Sequence, residues 1–363
     1  VLSSTPPPTD ADWLTILNHY RAASGVAPVA EEPSWSDGAR KHLVYLANTP
    51  ASYRTGPFAS VHSENPLSPW YTPEGAAAAE SANIGSGGSA RTVIDRWMRA
   101  PFHAIGLLRP GLQRTGFATD ASFSALDVIR GNTGLPVVSP IVFPGDGSTT
   151  YLDRGTTEFP DPREGCASDW QQFAGLPLIA LLPGDPPFGT TATLRLPDGR
   201  TVSEGTDLCV QTERTYRSSD PIYGDVGLDI LRGDNAVVVI PRARLSPGVH
   251  TVTISVPGGA PITWSFTVLA PPGVPSEVRA LWAGSGKVHV GWQPPSSSGS
   301  TPIVSYAVRE VNAGTSTAVD PTTRSAVLDV PPAPSGTVAV TAVTEWVGGP
   351  TAFDAWSRPH LPG

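Results

Sequence analysis

The sequence predicts an α+β protein in which a helical N-terminal region is followed by two all-β sandwiches. Apolar residues recur with a helical period only in the first part of the chain. After about residue 131 that period gives way to short β-branched runs separated by turn residues. A length of 363 residues with 40 Pro and 37 Gly fits two or three turn-rich domains.

We expect four segments along the chain. Residues 1–9 are rich in Ser, Thr and Pro and predict a flexible lead-in. A helical domain at residues 10–135 follows, and then a β-sandwich at residues 136–269. A Pro-rich linker opens a second β-sandwich at residues 270–363.

The helices of the first domain are predicted from capping residues and apolar faces. We expect a helix at 12–23 capped by Asp10, one at 36–48, one that begins near Pro73 and breaks at 85–88, and one that Ser89 caps and Pro101 ends, with strands at 114–119 and 124–130.

The middle segment predicts strands and no helix. After Pro136 the helical period is absent, and the sequence at 251–256 alternates polar and apolar residues with period two. The expected strands are at 192–196, 236–240, 249–256 and 263–269. This pattern is typical of an immunoglobulin-like sandwich.

Cys166 and Cys209 are the two cysteines of the chain and both lie in the middle segment. In a secreted protein we expect them to form one disulfide, which closes a long loop and is worth about 4 kcal/mol. The alternative is a pair of free buried thiols. Two thiols alone do not complete a four-ligand zinc site.

Charge and hydropathy argue against binding to nucleic acid and against a span across a membrane. The net charge of −8 disfavours nucleic acid, whose phosphates would be repelled. The sequence contains no apolar run of about 18 residues, so we expect no transmembrane segment. The chain begins with Val1 rather than Met, so we expect a removed signal peptide or a trimmed sequence. We expect a secreted protein or one on the extracellular surface.

Short motifs follow one another in a characteristic order in the first domain. They are Leu17-Asn18-x-Tyr20-Arg21, His62, Ser81-Ala82-Asn83-Ile84, Trp97-Met98, His103, Leu107-Leu108-Arg109-Pro110 and Thr115-Gly116-Phe117. In this order they resemble bacterial members of the CAP superfamily, which comprises cysteine-rich secretory, antigen-five and pathogenesis-related proteins. The resemblance covers about residues 10–131 and implies an α/β/α sandwich with a groove that holds two histidines.

The groove residues are inferred from this resemblance. They are His62, His103, Glu64, Glu80 and Asn83. His62 and His103 would bind a divalent metal, zinc or calcium, through neutral imidazole nitrogens. A second interpretation makes them a mutually hydrogen-bonded pair without metal.

The sequence departs from the family pattern at two carboxylates that usually complete the groove. Ala82 stands at one position, and Ala100 or Pro101 at the other. Glu64, Glu74 and Glu80 are nearby carboxylates that would replace them. We assign no catalytic residue.

The last segment resembles a fibronectin type III module. It contains Trp292-Gln293-Pro294-Pro295 and Ile303-Val304-Ser305-Tyr306-Ala307-Val308. The resemblance implies a sandwich in which Trp292 and Tyr306 are core residues, with a spacing or adhesive role. In the middle segment, Arg232-Gly233-Asp234 matches an adhesive tripeptide, although we favour an ordinary turn.

The preferred function is a secreted, non-catalytic protein that binds a lipid or another apolar small molecule, a peptide or a cell-wall glycan, or acts in adhesion. Trp70, Tyr71 and Phe102 would line its groove. The alternative is a metal-assisted hydrolase acting on peptide or cell-wall polymer, with Glu64 or Glu80 as third ligand or base. A structural spacer with a filled groove is the third hypothesis.

Overall fold

The computed structural model describes residues 11–166, 170, 174–346 and 348–358. The predicted lead-in, Asp10 and the last five residues lie outside this description. The chain divides into two compact units, Val1–Val268 and Leu269–Gly363.

The first half of the N-terminal unit alternates helices with short strands. In chain order these are α1 (Trp13–Ala23), β1 (Ala30–Glu31), α2 (Pro33–Asn48), α3 (Pro73–Ser81), β2 (Ala82–Ser86), α4 (Ala90–Met98), α5 (Pro101–Leu108), β3 (Arg114–Thr115), β4 (Phe117–Thr119) and β5 (Phe123–Asp127). Single 3₁₀ turns at Ala51–Tyr53 and Gly56–Phe58 lie between α2 and α3.

An antiparallel sheet with strand order β2-β5-β4 separates two layers of helices. On one face, Leu43 of α2 and Ala78 of α3 pack against Ile84 of β2. On the other, α1, α4 and α5 pack over Phe117 and Leu126. Successive side chains of a strand point to opposite faces, so each strand serves both layers. The predicted α/β/α sandwich is confirmed.

The helix predictions were right in number for α1 to α4 but not at every boundary. The residue that caps α1 is Asp12 and not the predicted Asp10, because the helix begins at Trp13 and Asp12 accepts a hydrogen bond from the Thr15 amide at 2.9 Å. The third helix ends at Ser81, and the next five residues form β2. Pro101 begins α5 instead of ending the fourth helix, because the first turn of a helix tolerates proline.

The second half of the N-terminal unit is a β-sandwich with one helix. Its elements are β6 (Ile141–Phe143), β7 (Thr149–Thr150), β8 (Leu178–Leu181), β9 (Thr191–Arg195), β10 (Thr201–Ser203), β11 (Leu208–Gln211), α6 (Val226–Gly233), β12 (Ala236–Pro241), β13 (Gly248–Ser255) and β14 (Ile262–Val268). The two sheets have the orders β10-β9-β13-β14-β7 and β11-β12-β8-β6. The expectation of no helix after Pro136 was wrong, because α6 has only eight residues and too few turns to display a period.

One hydrophobic core connects the two halves of the N-terminal unit. Buried side chains of α1, α4 and α5 are continuous with those of β8 and β12. At this contact Tyr20 and Tyr151 donate hydrogen bonds to the two oxygens of Asp95, at 2.7 and 2.6 Å. The helical and β parts therefore pack as one body, and the domain boundary near residue 135 stays a prediction.

The second unit is a sandwich built from its own core. Its strands are β15 (Ser276–Gly284), β16 (Lys287–Gln293), β17 (Ile303–Glu310), β18 (Ser316–Val319), β19 (Ser325–Asp329), β20 (Ser335–Thr344) and β21 (Gly348–Ser357). The sheets have the orders β15-β16-β19 and β18-β17-β20-β21. Trp292 and Tyr306 are buried between them, as predicted.

Cys166 is disulfide-bonded to Cys209 on β11, which confirms the predicted pairing. The bond links the irregular segment before residue 167 to the sheet that contains β8 and β12. Within the described part of the chain, we find no helix with the length and apolar character needed to cross a bilayer.

Candidate ligand-binding cavity

A cavity of about 470 Å³ lies where the helical and β parts of the N-terminal unit meet. The helical part contributes His62, Glu80, Asn83, Phe102, His103 and Arg109, among others. The β part contributes Phe159, Pro160, Ile222, Tyr223, Val226 and Ile230. This volume lies within the usual range for small-molecule sites. The site therefore extends beyond the groove that the sequence predicted.

His62 and His103 line the same cavity despite their separation in sequence. The Nδ1 atom of each ring has a hydrogen-bond partner that is not the other histidine. Nδ1 of His62 donates to the carbonyl oxygen of Ala79 at 3.2 Å, and Nδ1 of His103 contacts Glu158 at 2.7 Å. The two histidines thus share a cavity without forming a mutually hydrogen-bonded pair.

His62 is held as a neutral ring. Burial lowers its pKa to about 4, while the hydrogen bond to Ala79 opposes this effect and the nearby His103 and His42 add to it. Tyr223 packs edge-on against the ring with centroids 5.9 Å apart. Because Nδ1 carries the proton that Ala79 accepts, Nε2 of the neutral ring is a hydrogen-bond acceptor.

His103 is fixed by Glu158, a residue that sequence analysis missed as a site residue. The Glu158 carboxylate also accepts from the backbone amides of Phe102 and His103, at 3.2 and 3.3 Å. It therefore caps α5, where Ala100 provides no side-chain cap. The Trp97 ring lies parallel to His103, with centroids 6.5 Å apart.

Glu158 belongs to the β part, so no spacing within the helical motifs points to it. It stands 55 positions after His103, in the Pro-rich stretch that follows β7. The one sequence signal was that alanines stand where the family pattern has two carboxylates. Of these alanines, Ala82 lines the cavity and Ala100 is buried. Those two absences left room for a carboxylate from elsewhere in the chain.

Glu64 lies outside the cavity lining, contrary to the sequence prediction. Its buried carboxylate pairs with Nδ1 of His42 at 2.8 Å and accepts from the Thr72 amide at 3.2 Å. The carboxylate has room because Gly75 has no side chain. An added Cβ at Gly75 would lie only 2.5 Å from a carboxylate oxygen of Glu64. A second acceptor, the Val61 carbonyl, contacts Nε2 of His42. Glu64 therefore belongs to the packing of α2 and α3.

Glu80 and Asn83 do line the cavity. Glu80 is exposed at its edge, where its carboxylate adds negative charge. The Asn83 amide donates to the His103 carbonyl oxygen at 3.0 Å and thereby helps to hold the start of α5.

Of the three predicted aromatic groove residues, Phe102 lines the cavity and the other two do not. Trp70 and Tyr71 instead flank a separate shallow groove of about 240 Å³ beside α2, together with Arg40 and Lys41. The difference arises because residues 69–72 lie against the outer face of α2.

Carboxylates, imidazoles and thiols of the described residues form no group of three or more that is placed to hold a metal ion. Glu158 occupies Nδ1 of His103, and Ala79 occupies Nδ1 of His62. The zinc or calcium site stays a prediction from the family resemblance.

The helix α6 covers the cavity and is fastened by an ion pair. Arg109 donates from Nε and Nη2 to the two oxygens of Asp234, at 2.9 and 2.8 Å. At the other end of α6, Gly227 lies so close to Phe102 that an added Cβ would be 2.7 Å from the ring. Asp234 is thus engaged at the C-cap of α6, and Arg232-Gly233-Asp234 forms a helix terminus.

Large apolar side chains remain exposed around the cavity. Ile129, Phe159, Ile222 and Val226 have exposed fractions of 53%, 71%, 56% and 47%. Exposed apolar groups that are continuous with a cavity are typical of ligand-binding grooves. The site thus joins an apolar edge to a small polar group formed by His62, His103 and Asn83.

The sequence of residues 14–123 matches the model of the CAP family, the cysteine-rich secretory protein family. A search of curated protein sequences finds no match.

Solved structures similar to this chain include three from animals. Rat CD45 extracellular domains d3-d4 are 16% identical, over 30% of this chain and 63% of that one, with a TM-score of 0.23. This chain thus spans less than two thirds of that fragment. A segment of two fibronectin type III domains from chicken tenascin is 15% identical, over 50% and 92% of the chains, with a TM-score of 0.22. The FN5 domain of Drosophila Lar is 23% identical, over 25% and 99%, with a TM-score of 0.20.

The ordered motifs, the α/β/α layers and the family match coincide in one stretch of the chain. Residues 14–123 therefore form a CAP domain of the cysteine-rich secretory protein family.

Proposed function

We propose that this chain is a secreted, non-catalytic protein that binds a mainly apolar small molecule in the cavity between His103 and α6. The observation that carries this proposal is the cavity of about 470 Å³ with apolar walls and a few convergent polar groups. Secretion is supported by the disulfide and by the CAP domain.

The apolar character of the walls favours a lipid-like ligand over a peptide or a cell-wall glycan. Phe102, Val226 and Ile230 offer no hydrogen bond to a hydroxyl-rich or amide-rich ligand. Such a ligand would leave many polar groups unpaired on binding, which costs free energy. Transfer of apolar surface from water is the favourable term that this site provides.

The second unit would act as a spacer or an adhesive module. Its strands form a self-contained sandwich with a core of its own. We infer that it projects or docks the ligand-binding unit at a cell surface or matrix.

A neutral fluorescent probe, N-phenyl-1-naphthylamine, tests the proposal on the full chain. We expect its emission to rise on binding to the wild type. Ile230→Trp should reduce this rise several-fold, because the larger ring fills the cavity from α6. Val249→Trp is the matched control, since Val249 is exposed on β13 and outside the cavity lining.

Equal probe binding by Ile230→Trp and Val249→Trp would contradict the assignment of this cavity. The absence of any probe binding to the folded wild type would overturn the proposed function.

One observation favours the alternative of a hydrolase. The carboxylate of Glu158 orients His103 at the cavity wall, as a general base is oriented in many enzymes. Calorimetric titration with zinc and calcium, repeated on His62→Ala/His103→Ala, tests its metal-assisted form. Metal binding that the double variant loses would support a metal site, and the absence of binding would remove this form of the alternative.

A further inference from the structure

We propose that the cavity selects uncharged apolar molecules that carry a hydroxyl group over acids of the same size. The inference rests on the proposed function and names its ligand class. It is based on the charges and hydrogen-bond partners of the groups that line the cavity.

The one Lys or Arg among the described lining residues is already neutralised. Arg109 makes three hydrogen bonds to the two carboxylate oxygens of Asp234, and the two side chains are only 17% and 11% exposed. A bidentate arginine–carboxylate pair is among the strongest polar contacts in proteins. An acidic ligand would have to displace Asp234, or remain without a cation of its own.

The other charged groups of the site disfavour an anion further. Glu80 stands at the edge of the cavity, and Glu158 lies behind His103. The Glu158 carboxylate already contacts Nδ1 of His103 at 2.7 Å, so this histidine offers an anionic ligand no unpartnered positive charge. An acid would therefore enter a cavity whose described lining residues offer it no unpaired cation and whose edge carries the negative charge of Glu80, which disfavours a second anion.

His62 supplies the acceptor that a hydroxyl group needs. Its Nδ1 is engaged by the Ala79 carbonyl, so Nε2 is the nitrogen left for a ligand. Burial keeps the pKa of His62 low, at about 4, which favours a ring that accepts at Nε2 over a cationic ring that attracts an acid. A ligand hydroxyl donates to this nitrogen, whereas a carboxylate has no proton to donate.

The apolar part of the ligand would follow the opposite wall. Phe102 and Ile230 line the interior, and Val226 and Phe159 continue the apolar surface to the exposed edge. The arrangement fits a molecule with one polar end and a hydrocarbon body.

The test compares 1-decanol with decanoic acid, which have equal chain lengths, in displacement of N-phenyl-1-naphthylamine from the full chain at neutral pH. For the wild type, we expect decanol to displace the probe at about a tenfold lower concentration than the acid, a ratio of the order that one net hydrogen bond between neutral groups provides. Equal or stronger displacement by decanoic acid would overturn the inference while leaving the proposed function intact. If the probe binds and neither compound displaces it, the inference is also overturned. If the probe itself does not bind, the proposed function fails first.

Asp234→Asn gives the sharpest variant, because it leaves Arg109 as an unneutralised cation on the cavity wall. We expect the preference for decanol to disappear or reverse. Asp229→Asn removes the same charge from an exposed position of α6 and should keep the wild-type preference. An unchanged preference in folded Asp234→Asn would contradict the role of the ion pair.

His62→Phe tests the acceptor. The variant retains an aromatic ring but loses Nε2, so decanol should bind several-fold more weakly. Decyl methyl ether, which has no hydrogen to donate, should bind wild type and variant alike. Equal losses for both compounds would show that the substitution acts on packing and would contradict the hydroxyl contact.

Discussion

Glu158 contacts Nδ1 of His103 at 2.7 Å, although the two residues stand 55 positions apart in the chain. The carboxylate comes from the β part and the imidazole from the CAP domain. The same carboxylate caps α5. The β part thereby completes a site whose first half lies in the CAP domain.

Replacement of Glu158 should loosen the start of α5 and destabilise the N-terminal unit. Glu158→Ala removes a helix cap and the partner of His103, and we expect a loss of about 2–4 kcal/mol in its free energy of unfolding. Chemical denaturation followed by Trp fluorescence measures this loss. Asp198→Asn, in an exposed turn, is the control and should change stability little. A loss below that of the control would contradict the role of Glu158.

The pair of His42 and Glu64 should be important for folding rather than for binding. Both side chains are fully buried, so Glu64→Ala leaves His42 without its carboxylate partner, and we expect a loss of about 3–5 kcal/mol. Glu74→Ala on α3 removes an exposed carboxylate and should cost far less. Thermal unfolding by circular dichroism compares them. Similar midpoints for the two variants would contradict the assignment of Glu64 to the core.

Stability of the N-terminal unit should fall as the pH decreases from about 6.5 to about 4. Burial lowers the pKa of both His19 and His62 to about 4. The unfolded chain therefore binds more protons in this window, and each histidine contributes at most about 1.4 kcal/mol per pH unit. Above pH 6.5 the contribution of each neutral ring is complete.

His62→Phe should flatten this pH dependence, which urea denaturation at several pH values measures. His289→Phe, at an exposed position of β16, should leave the slope unchanged. If His62→Phe has the slope of the wild type, His62 is not held neutral by burial.

The disulfide should stabilise the segment that carries Glu158 and Phe159. Cys166 and Cys209 are 43 positions apart, and closure of such a loop is worth about 4 kcal/mol. Cys166→Ala/Cys209→Ala should lower the free energy of unfolding by this order and weaken binding of the naphthylamine probe. A single Cys209→Ala variant, which leaves Cys166 as a free thiol and cannot form the disulfide, should behave similarly. Unchanged unfolding on reduction would contradict this account.

The fold followed from the sequence because its signals are local. Turn residues and alternating runs predicted β9, β12, β13 and β14 to within a few residues. Capping residues and apolar faces predicted four of the helices. Periodicity failed to predict α6, because eight residues are too few to display a helical period. The start of α5 was missed because a proline can end one helix or begin the next, and Pro101 begins α5.

The site was only half predictable, because its second half depends on tertiary contacts. The order of the motifs resembles a family in which such residues share a groove, and His62, His103 and Asn83 line one cavity. No periodicity connects Glu158 or Tyr223 to them, since packing of the β part on α5 brings these residues close. Glu64 was misplaced because proximity in sequence to His62 did not reveal its buried partner, His42.

Crystallography of the full chain with 12-bromo-1-dodecanol tests the central claim most directly, because bromine is located by its anomalous signal. We predict bromine near the apolar edge at Phe159 and Val226, with the hydroxyl oxygen within hydrogen-bond distance of Nε2 of His62. Bromine bound only outside this cavity, or a cavity that stays without ligand at saturating alcohol, would contradict the account.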